Sequence, residues 1–234
     1  MAPVPAVDMQ DVRFAWGGGR FAIAVDDFRL EQGEHLLLTA PSGAGKSTLI
    51  ALIAGVVQPQ SGAIRIAGTD IVPMRASQRD AFRADSVGLI FQSFNLIPYL
   101  TALDNIVIPL SFAARRLKRL GGWSKASAQA RVMLDDIGLP AARFSDQKAG
   151  QLSIGQQQRV AVLRALIGGP GLVMADEPTS ALDRDHQQAF LKLLRRQTTQ
   201  SGAGLIMVSH DLSLAPLFDR TAELGSFARA ELRA

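Results

Sequence analysis

The chain has 234 residues, of which 47% are hydrophobic and 20% charged; it carries no cysteine and a net charge of +4. That composition excludes a disordered chain, a disulfide framework and a thiolate metal site, and an excess of positive charge this small says little about partners. No apolar run approaches the roughly 20 residues of a membrane-spanning helix, and Met1 to Asp8 lacks the basic start and apolar core of a signal peptide, so the expectation is a soluble chain or one held at a membrane by a partner.

Val7 to Trp16 and Phe21 to Leu30 read as strands joined by the turn Gly17-Gly18-Gly19. Leu36 to Thr39 is a short run, apolar nearly throughout, and such runs recur at Val87 to Phe91, Leu172 to Ala175 and Leu205 to Val208. They suit strands buried on both faces of a parallel sheet. Ala63 to Ala67 is a further strand, introduced by Ser61-Gly62 and closed by Gly68. Helix-like segments follow most of these runs, which makes the fold α/β. Between about Leu100 and Gly138 the pattern turns helical without strands. Gly121-Gly122 breaks it, Ser124 is the expected cap of the next helix, and Gly138 with Pro140 ends that helix. The reading is one domain over residues 1–234, with a helical lobe of about residues 95–155 inserted in its core.

The strongest local signal is Ala40-Pro41-Ser42-Gly43-Ala44-Gly45-Lys46-Ser47-Thr48. It follows one apolar strand and opens the helix that carries Leu49, Ile50, Leu52 and Ile53, the context a phosphate-binding loop requires. Glycines let the backbone curl so that several N–H groups face one anion, and the helix N-terminus adds its own donors. Lys46 would reach the β- and γ-phosphates of a nucleotide, and the Ser47 hydroxyl would ligate Mg2+. Ala40 stands where the usual motif begins with glycine, which is tolerable if its φ stays negative.

Leu172 to Ala175 runs into Asp176-Glu177-Pro178. Two acids at the carboxyl end of a buried strand are costly unless a ligand uses them, and that edge of a parallel sheet is where ligands bind. Asp176 is placed to hold the Mg2+ shell through water, and Glu177 to polarise the attacking water. Gln92 follows the strand ending in Phe91 and could coordinate Mg2+ or a water; polar residues also end many strands without a function. His210 follows the last apolar run and would donate to the γ-phosphate. His35 and His186 have no such placement and read as structural or solvent-exposed.

Leu152-Ser153-Ile154-Gly155-Gln156-Gln157-Gln158-Arg159-Val160 resembles the signature of the ABC proteins, usually Leu-Ser-Gly-Gly-Gln. The phosphate loop, Gln92, this signature, Asp176-Glu177, Ser180-Ala181-Leu182-Asp183 and His210 stand in the order of that family, and the resemblance covers nearly the whole chain. It implies a P-loop NTPase of ABC type, with a mostly parallel core sheet, an N-terminal antiparallel β region and the inserted helical lobe. It also implies an ATPase that uses ATP and Mg2+, in which two copies meet head to tail and enclose two nucleotides. Ser153, Ile154, Gly155 and Gln156 would then face the ATP of the partner copy, Asp183 would lie in the loop communicating across the dimer, and Trp16 would stack on adenine, unless it is simply a core residue at a strand end. Ile154 replaces the first glycine of the signature, and Ala149 stands where many relatives have proline.

Phe91 to Ile106 resembles the lipoprotein-releasing, macrolide-exporting and cell-division class of that family. The resemblance implies integral membrane permease subunits with a large extracytoplasmic domain as partners, and a peripheral location at the cytoplasmic face of the inner (plasma) membrane. The lobe after Gln92 would receive the membrane subunit, and the cluster Arg115-Arg116-Leu117-Lys118-Arg119 would face that partner, anionic lipid or solvent. A soluble ABC ATPase acting on nucleic acid or ribosomes is the competing reading. Such relatives usually carry two ATPase units or a long coiled-coil insertion, neither of which this sequence has, and it shows no aromatic-and-basic RNA platform. A regulatory module that holds ATP without turnover is a third reading, against which Glu177 and His210 stand.

Overall fold

The computed structural model describes residues 4–17, 21–41, 43–180, 182 and 184–232; Ser42 and Asp183, both singled out above, lie outside the described residues. β1 (Val7–Ala15) buries Val7, Met9, Val12 and Phe14 on one face. The alternation skips once, at a bulge where Asp11 takes a φ of 52° and the pairing to the neighbouring strand shifts between Gln10 and Arg13. β2 (Phe21–Leu30) pairs antiparallel with β1. β3 (His35–Thr39) leads through the glycine-rich loop into α1 (Lys46–Ile53). β4 (Ser61–Ile66) and the short β5 (Thr69–Asp70) follow, then α2 (Ala76–Ser86) and β6 (Val87–Ile90). Five helices come next: α3 (Ala102–Val107), α4 (Ala114–Leu120), α5 (Trp123–Asp136), α6 (Ala141–Phe144) and α7 (Ile154–Leu166). β7 (Leu172–Asp176), α8 (Arg184–Ser201), β8 (Gly204–Val208), β9 (Arg220–Glu223) and β10 (Ala228–Leu232) complete the described elements.

Two sheets result. One is antiparallel in the order β10-β2-β1-β4-β5, and the other is parallel in the order β6-β7-β8-β3-β9. Alternate residues of the parallel strands feed two different cores, because successive side chains of a strand point to opposite faces. Leu36, Leu38, Met174, Ile206 and Val208 pack toward α1 and the antiparallel sheet. Leu37, Val173, Ala175, Leu205 and Met207 pack toward α7 and α8, against Val162, Phe190 and Leu194. A third cluster joins α3 to α7 through Ile106, Ala126, Ala130, Leu134, Val160 and Leu163. No described helix is long and apolar enough to cross a membrane.

Two expectations from the sequence change here. The N-cap of α5 is Gly122 rather than Ser124, which lies inside the helix; Gly122 sits at a φ of 96°, a conformation that serine adopts only at a cost. The arginine cluster is not a uniform outward face. Arg116 is 1% exposed and donates to the carbonyls of Ile167, Ala165 and Ala84, while Arg119 donates to Gly168 O and Gly169 O at 2.9 and 3.0 Å. Arg115, Lys118 and Arg119 stay exposed, Arg119 while bonded to those two carbonyls. The Asp85 carboxylate caps α4 from α2, accepting from the backbone N–H groups of Arg115 and Arg116.

The end of α7 lies directly on β6. A methyl group added at Gly88 would stand 2.3 Å from Ala165 O and 3.0 Å from its carbonyl carbon. Gly88→Ala must therefore push α7 off the sheet. The expected cost is about 2 kcal/mol, measurable as a lower urea midpoint and a Tm roughly 4–8 °C lower for a chain of this size. An unchanged midpoint would show that α7 is free to shift.

Candidate functional site

Register sets the site. Leu38 of β3 and Asp176 of β7 both stand opposite Val208 of β8, and Ile90 of β6 stands opposite Ala175. The chain leaves the four strands at one edge of the sheet, carrying Ala40, Gln92, Glu177 and His210 with it. Ala40 is buried and outside the left-handed region, so a methyl group replaces the usual glycine hydrogen without backbone strain. Gly43 and Gly45 have φ of 77° and 102°, and Ala44 N–H closes the turn onto Pro41 O at 3.3 Å. Gly45 caps α1 without a side chain, which leaves the first-turn N–H groups as donors for an anion. Lys46 Nζ arches back over the loop to Ala40 O at 2.9 Å and Pro41 O at 3.1 Å.

The acidic pair meets this loop. Ser47 Oγ donates to Asp176 Oδ2 at 3.5 Å. Glu177 stands between two cationic or polar groups, with Oε1 3.7 Å from Lys46 Nζ and Oε2 3.7 Å from His210 Nδ1. Its φ is 44°, an uncommon conformation for a residue with a Cβ that costs about 1–3 kcal/mol and concentrates at functional sites. The turn is held by Glu177 N–H to Val208 O at 3.1 Å, and by Ser180 Oγ to Glu177 O at 3.1 Å. Burial, and then the Glu177 charge, push the Asp176 carboxyl up from its ordinary value, and the Ser47 hydroxyl and Lys46 pull against them. Two hard oxygens, Ser47 Oγ and Asp176 Oδ2, stand 3.5 Å apart, and the ionised form of Asp176 is disfavoured as the site stands, which fits a cation such as Mg2+. Among the described residues no group of three or more His, Cys, Asp or Glu side chains stands together as a metal site.

Trp16, Gly43, Gly45, Lys46, Ser47, Thr48 and Glu177 line one open cleft of about 440 Å³. The Trp16 indole is 45% exposed; it stands edge-on to Phe14 at 5.1 Å and donates from Nε1 to Thr48 Oγ1 at 3.2 Å. Gln92 is exposed on the turn after β6, outside the wall of that cleft. Ser153, Ile154, Gly155 and Gln156 form a separate cleft with Gly138, Arg159 and His186. Ser153 caps α7 there: its hydroxyl accepts from Gln156 N–H, and Gln156 Oε1 accepts from Ser153 N–H. Ile154 is the first residue of that helix, outside the left-handed region and 65% exposed, so the loss of a signature glycine imposes no strain.

Among the histidines, His35 is buried in β3 and burial lowers its pKa, whereas His186 stands beside the signature, a placement its sequence context did not suggest. Nor does any sequence pattern mark Arg164, whose guanidinium donates to the carbonyls of Phe94 and Asn95 just beyond Gln92; a lone arginine in a helix carries no signal for so distant a contact.

A carboxyl group whose pKa is raised by folding favours the folded state at low pH, and that contribution is lost as pH rises through the raised value. Asp176→Asn removes the penalty and keeps an oxygen acceptor for Ser47. The variant is expected to melt above the native protein at pH 7.5, with the gap closing as pH falls through the carboxylate range. A variant that melts lower at pH 7.5 would show that the ionised carboxylate stabilises the fold.

Known proteins resemble this chain over most of its length. The family described as ABC transporter matches residues 24–180. A macrolide export ATP-binding/permease protein MacB of Marinobacter nauticus is 37% identical over 94% of this chain and 33% of its own length. The chain thus spans about a third of the length of that relative, and 29% of the MacB of Syntrophobacter fumaroxidans. The lipoprotein-releasing system ATP-binding protein LolD of Syntrophotalea carbinolica is 37% identical over 85% of this chain and 84% of its own. Among solved structures, the ATP-binding cassette MJ0796, as a dimer in a post-hydrolysis state with ADP and Pi, is 32% identical with a TM-score of 0.71, covering 93% of each chain. A phosphate loop at the edge of a parallel sheet, an acidic pair beside it and these relatives converge: the chain belongs to the ABC transporter family.

Proposed function

We propose that the chain binds ATP in the Trp16–Lys46–Glu177 cleft, hydrolyses it to ADP and phosphate, and works as a pair of copies that drives a conformational change in separate membrane subunits. The observation that carries this reading is the meeting of Lys46, Ser47, Asp176, Glu177 and His210 at one strand edge. The backbone of Gly43 to Thr48 takes the phosphates, with Ser42 in the same loop, and Lys46 exchanges its carbonyl contacts for the β- and γ-oxygens. Trp16 stacks on the adenine. A magnesium ion held by Ser47, by Asp176 through water and by Gln92 would neutralise charge on the β- and γ-oxygens. Glu177, fixed by its turn, accepts a proton from the attacking water, and His210 donates to the γ-phosphate.

Ser153 and Gly155 lie in a different cleft from Lys46, so one chain offers two half-sites rather than one whole site. The dimeric cassette MJ0796 supports the reading that the signature, Ser153 to Gln156, completes the nucleotide site of a second copy, with Asp183 in the loop between the two. The free N–H groups at the start of α7 supply there the same anion physics as the phosphate loop.

A groove of about 710 Å³ bounded by Phe91, Ile108, Pro109, Phe112 and Arg164 lies between β6 and α4. Phe112 is 72% exposed and Phe91 41%, which makes this the apolar surface most suited to a helix of a membrane subunit. On this reading α3 to α6 act as the inserted lobe, about residues 95–155, between that subunit and the nucleotide. Similarity to an ATP-binding/permease protein and to the ATP-binding protein of a lipoprotein-releasing system supports membrane partners; on this reading those partners carry a large extracytoplasmic domain and the chain sits at the cytoplasmic face of the inner membrane.

Glu177→Gln is expected to keep ATP binding and ATP-dependent dimerisation while turnover falls by about 10²–10⁴. Lys46→Ala is expected to weaken binding itself. Equal steady-state rates for the native chain and Glu177→Gln would refute the catalytic assignment. Pull-down of the tagged chain from detergent-extracted membranes is expected to bring a polytopic protein with a large extracytoplasmic domain, and Phe112→Asp to lose it. Recovery of ribosomal or nucleic-acid factors alone would overturn the transporter reading and leave the ATPase site standing.

A further inference from the structure

The turn after β6 is built in a way that its sequence does not support unaided. Phe94 and Asn95 are consecutive non-glycine residues with φ of 56° and 47°. Asparagine tolerates the left-handed region, but phenylalanine there is a true outlier. Short-range bonds close the turn, from Phe94 N–H to Phe91 O at 2.9 Å and from Asn95 N–H to Ser93 O at 2.6 Å. The Phe94 ring is buried and tilts against Phe190 of α8 at 6.5 Å. What holds both left-handed carbonyls is one side chain: Arg164 donates from Nη1 to Asn95 O at 2.6 Å and from Nη2 to Phe94 O. A guanidinium presents two donors in a rigid fork, which suits two carbonyls one residue apart. Burial pushes the Arg164 pKa down, and it makes no ion pair among the described residues, so its charge is met by these carbonyls.

We propose that Arg164 is the positioning residue of the Gln92 turn, and that through it the groove at Phe91 and Asn95 is tied to the signature helix. Gln92 is two residues before the clamped pair, so the path of Phe94 and Asn95 decides where Gln92 stands. Arg164 and Ser153 lie on one helix, α7 with its cap, roughly 16 Å apart along the axis. A segment docked in the groove touches Phe91 and Asn95; displacing them pulls on the C-terminal end of the rod whose N-terminal end is the signature. The inference rests on the reading that Gln92 serves the nucleotide site.

The test is a double-mutant cycle between Arg164→Gln and Asn95→Gly, read as steady-state ATPase of the full chain beside its Tm. Glycine takes the left-handed conformation freely, so it relieves the need for the clamp. Arg164→Gln is expected to lower kcat about tenfold with KM for ATP within about twofold, because a misplaced Gln92 weakens the chemical step more than nucleotide binding. Adding Asn95→Gly is expected to recover a large part of the lost kcat, measured against Asn95→Gly alone. A role confined to fold stability would lower Tm and leave kcat per folded molecule unchanged, and that result overturns the proposal, as does a loss of kcat that Asn95→Gly does not reduce. If Arg164→Gln does not fold, Arg164→Lys carries the same cycle, since one ammonium lacks the planar fork. Gln92→Ala is measured alongside. An inert Gln92→Ala with a rescued clamp effect sinks the role of Gln92 and leaves the clamp; a slow Gln92→Ala with an undiminished Arg164→Gln sinks the clamp alone.

Discussion

The candidate site depends on the position of β8 in parallel register between β3 and β7. Val208 stands opposite both Leu38 and Asp176, and this brings the phosphate loop, the acidic pair and His210 to one height. A slip of one residue in β8 would turn every side chain of that strand to the other face. Because the sheet is buried on both sides, the slip would exchange Ile206 and Val208, which face α1, with Leu205 and Met207, which face α8. Both cores would be mispacked at once. The register is therefore specified twice over by apolar packing, and polar groups that could not choose it for themselves are delivered to one place.

That delivery lets the edge carry features that fold poorly on their own. Glu177 is left-handed immediately before Pro178, although the residue before a proline favours extended backbone. Asp176 is half-buried next to a second carboxylate. Lys46 and His210 reach Glu177, and Ser47 reaches Asp176, at 3.7, 3.7 and 3.5 Å, so both acids have partners in the protein but only at long range. A ligand bringing anionic oxygens together with a cation would suit such an edge, its anion facing Lys46 and its cation the two carboxylates. Stability has to come from elsewhere, and the apolar strands behind the edge, with Leu36 to Leu38, Leu172 to Ala175 and Leu205 to Val208 all buried, are the part of the chain able to provide it.

The legible features were local ones. A glycine-rich turn between an apolar strand and a helix, or two acids ending a buried strand, carries its physical meaning within ten residues, and the strand–loop–helix at Ala40 to Thr48 and the acidic pair after β7 were readable for that reason. The central strands were readable because burial on both faces demands unbroken apolar runs. β9 and β10 were not. Arg220 to Glu223 and Ala228 to Leu232 are largely polar or small, and they become strands only by pairing with β3 and β2 across long stretches of chain. The cap of α5 was misplaced because Gly122, with no side chain to bond, leaves no composition signal to compete with Ser124. Arg116 resembled the three other cations of its stretch, Arg115, Lys118 and Arg119, and nothing in the sequence marks that the carbonyls at the end of α7 would come to it. Gln92 and Ser153 to Gln156 lie outside the lining of the Lys46 cleft in this chain, and no local pattern in the sequence could place either relative to it.

The two ends of α7 are secured by unlike means, and the difference has a mechanical consequence. At its C-terminal end the carbonyls of Ala165 and Ile167 would be left without helical partners, and Arg116 takes them, its cation also complementing the negative end of the helix dipole. Burial pushes the pKa of that guanidinium down to about 10, still far above neutrality, so the brace keeps its charge. Arg164 and the contact with Gly88 hold the same end to the turn after β6 and to the sheet. At the N-terminal end the capping box, Ser153 with Gln156, fixes the direction of the helix start, while Ile154 projects outward. The same end is tied to the fold by apolar packing, with Leu152 and Val160 buried in the cluster shared with α3 and α5, and by Arg159 Nη1 donating to Ile137 O at 3.3 Å. A displacement at the braced end can therefore reach the start of α7 only by carrying that apolar cluster with it, because a close-packed interior transmits strain rather than absorbing it.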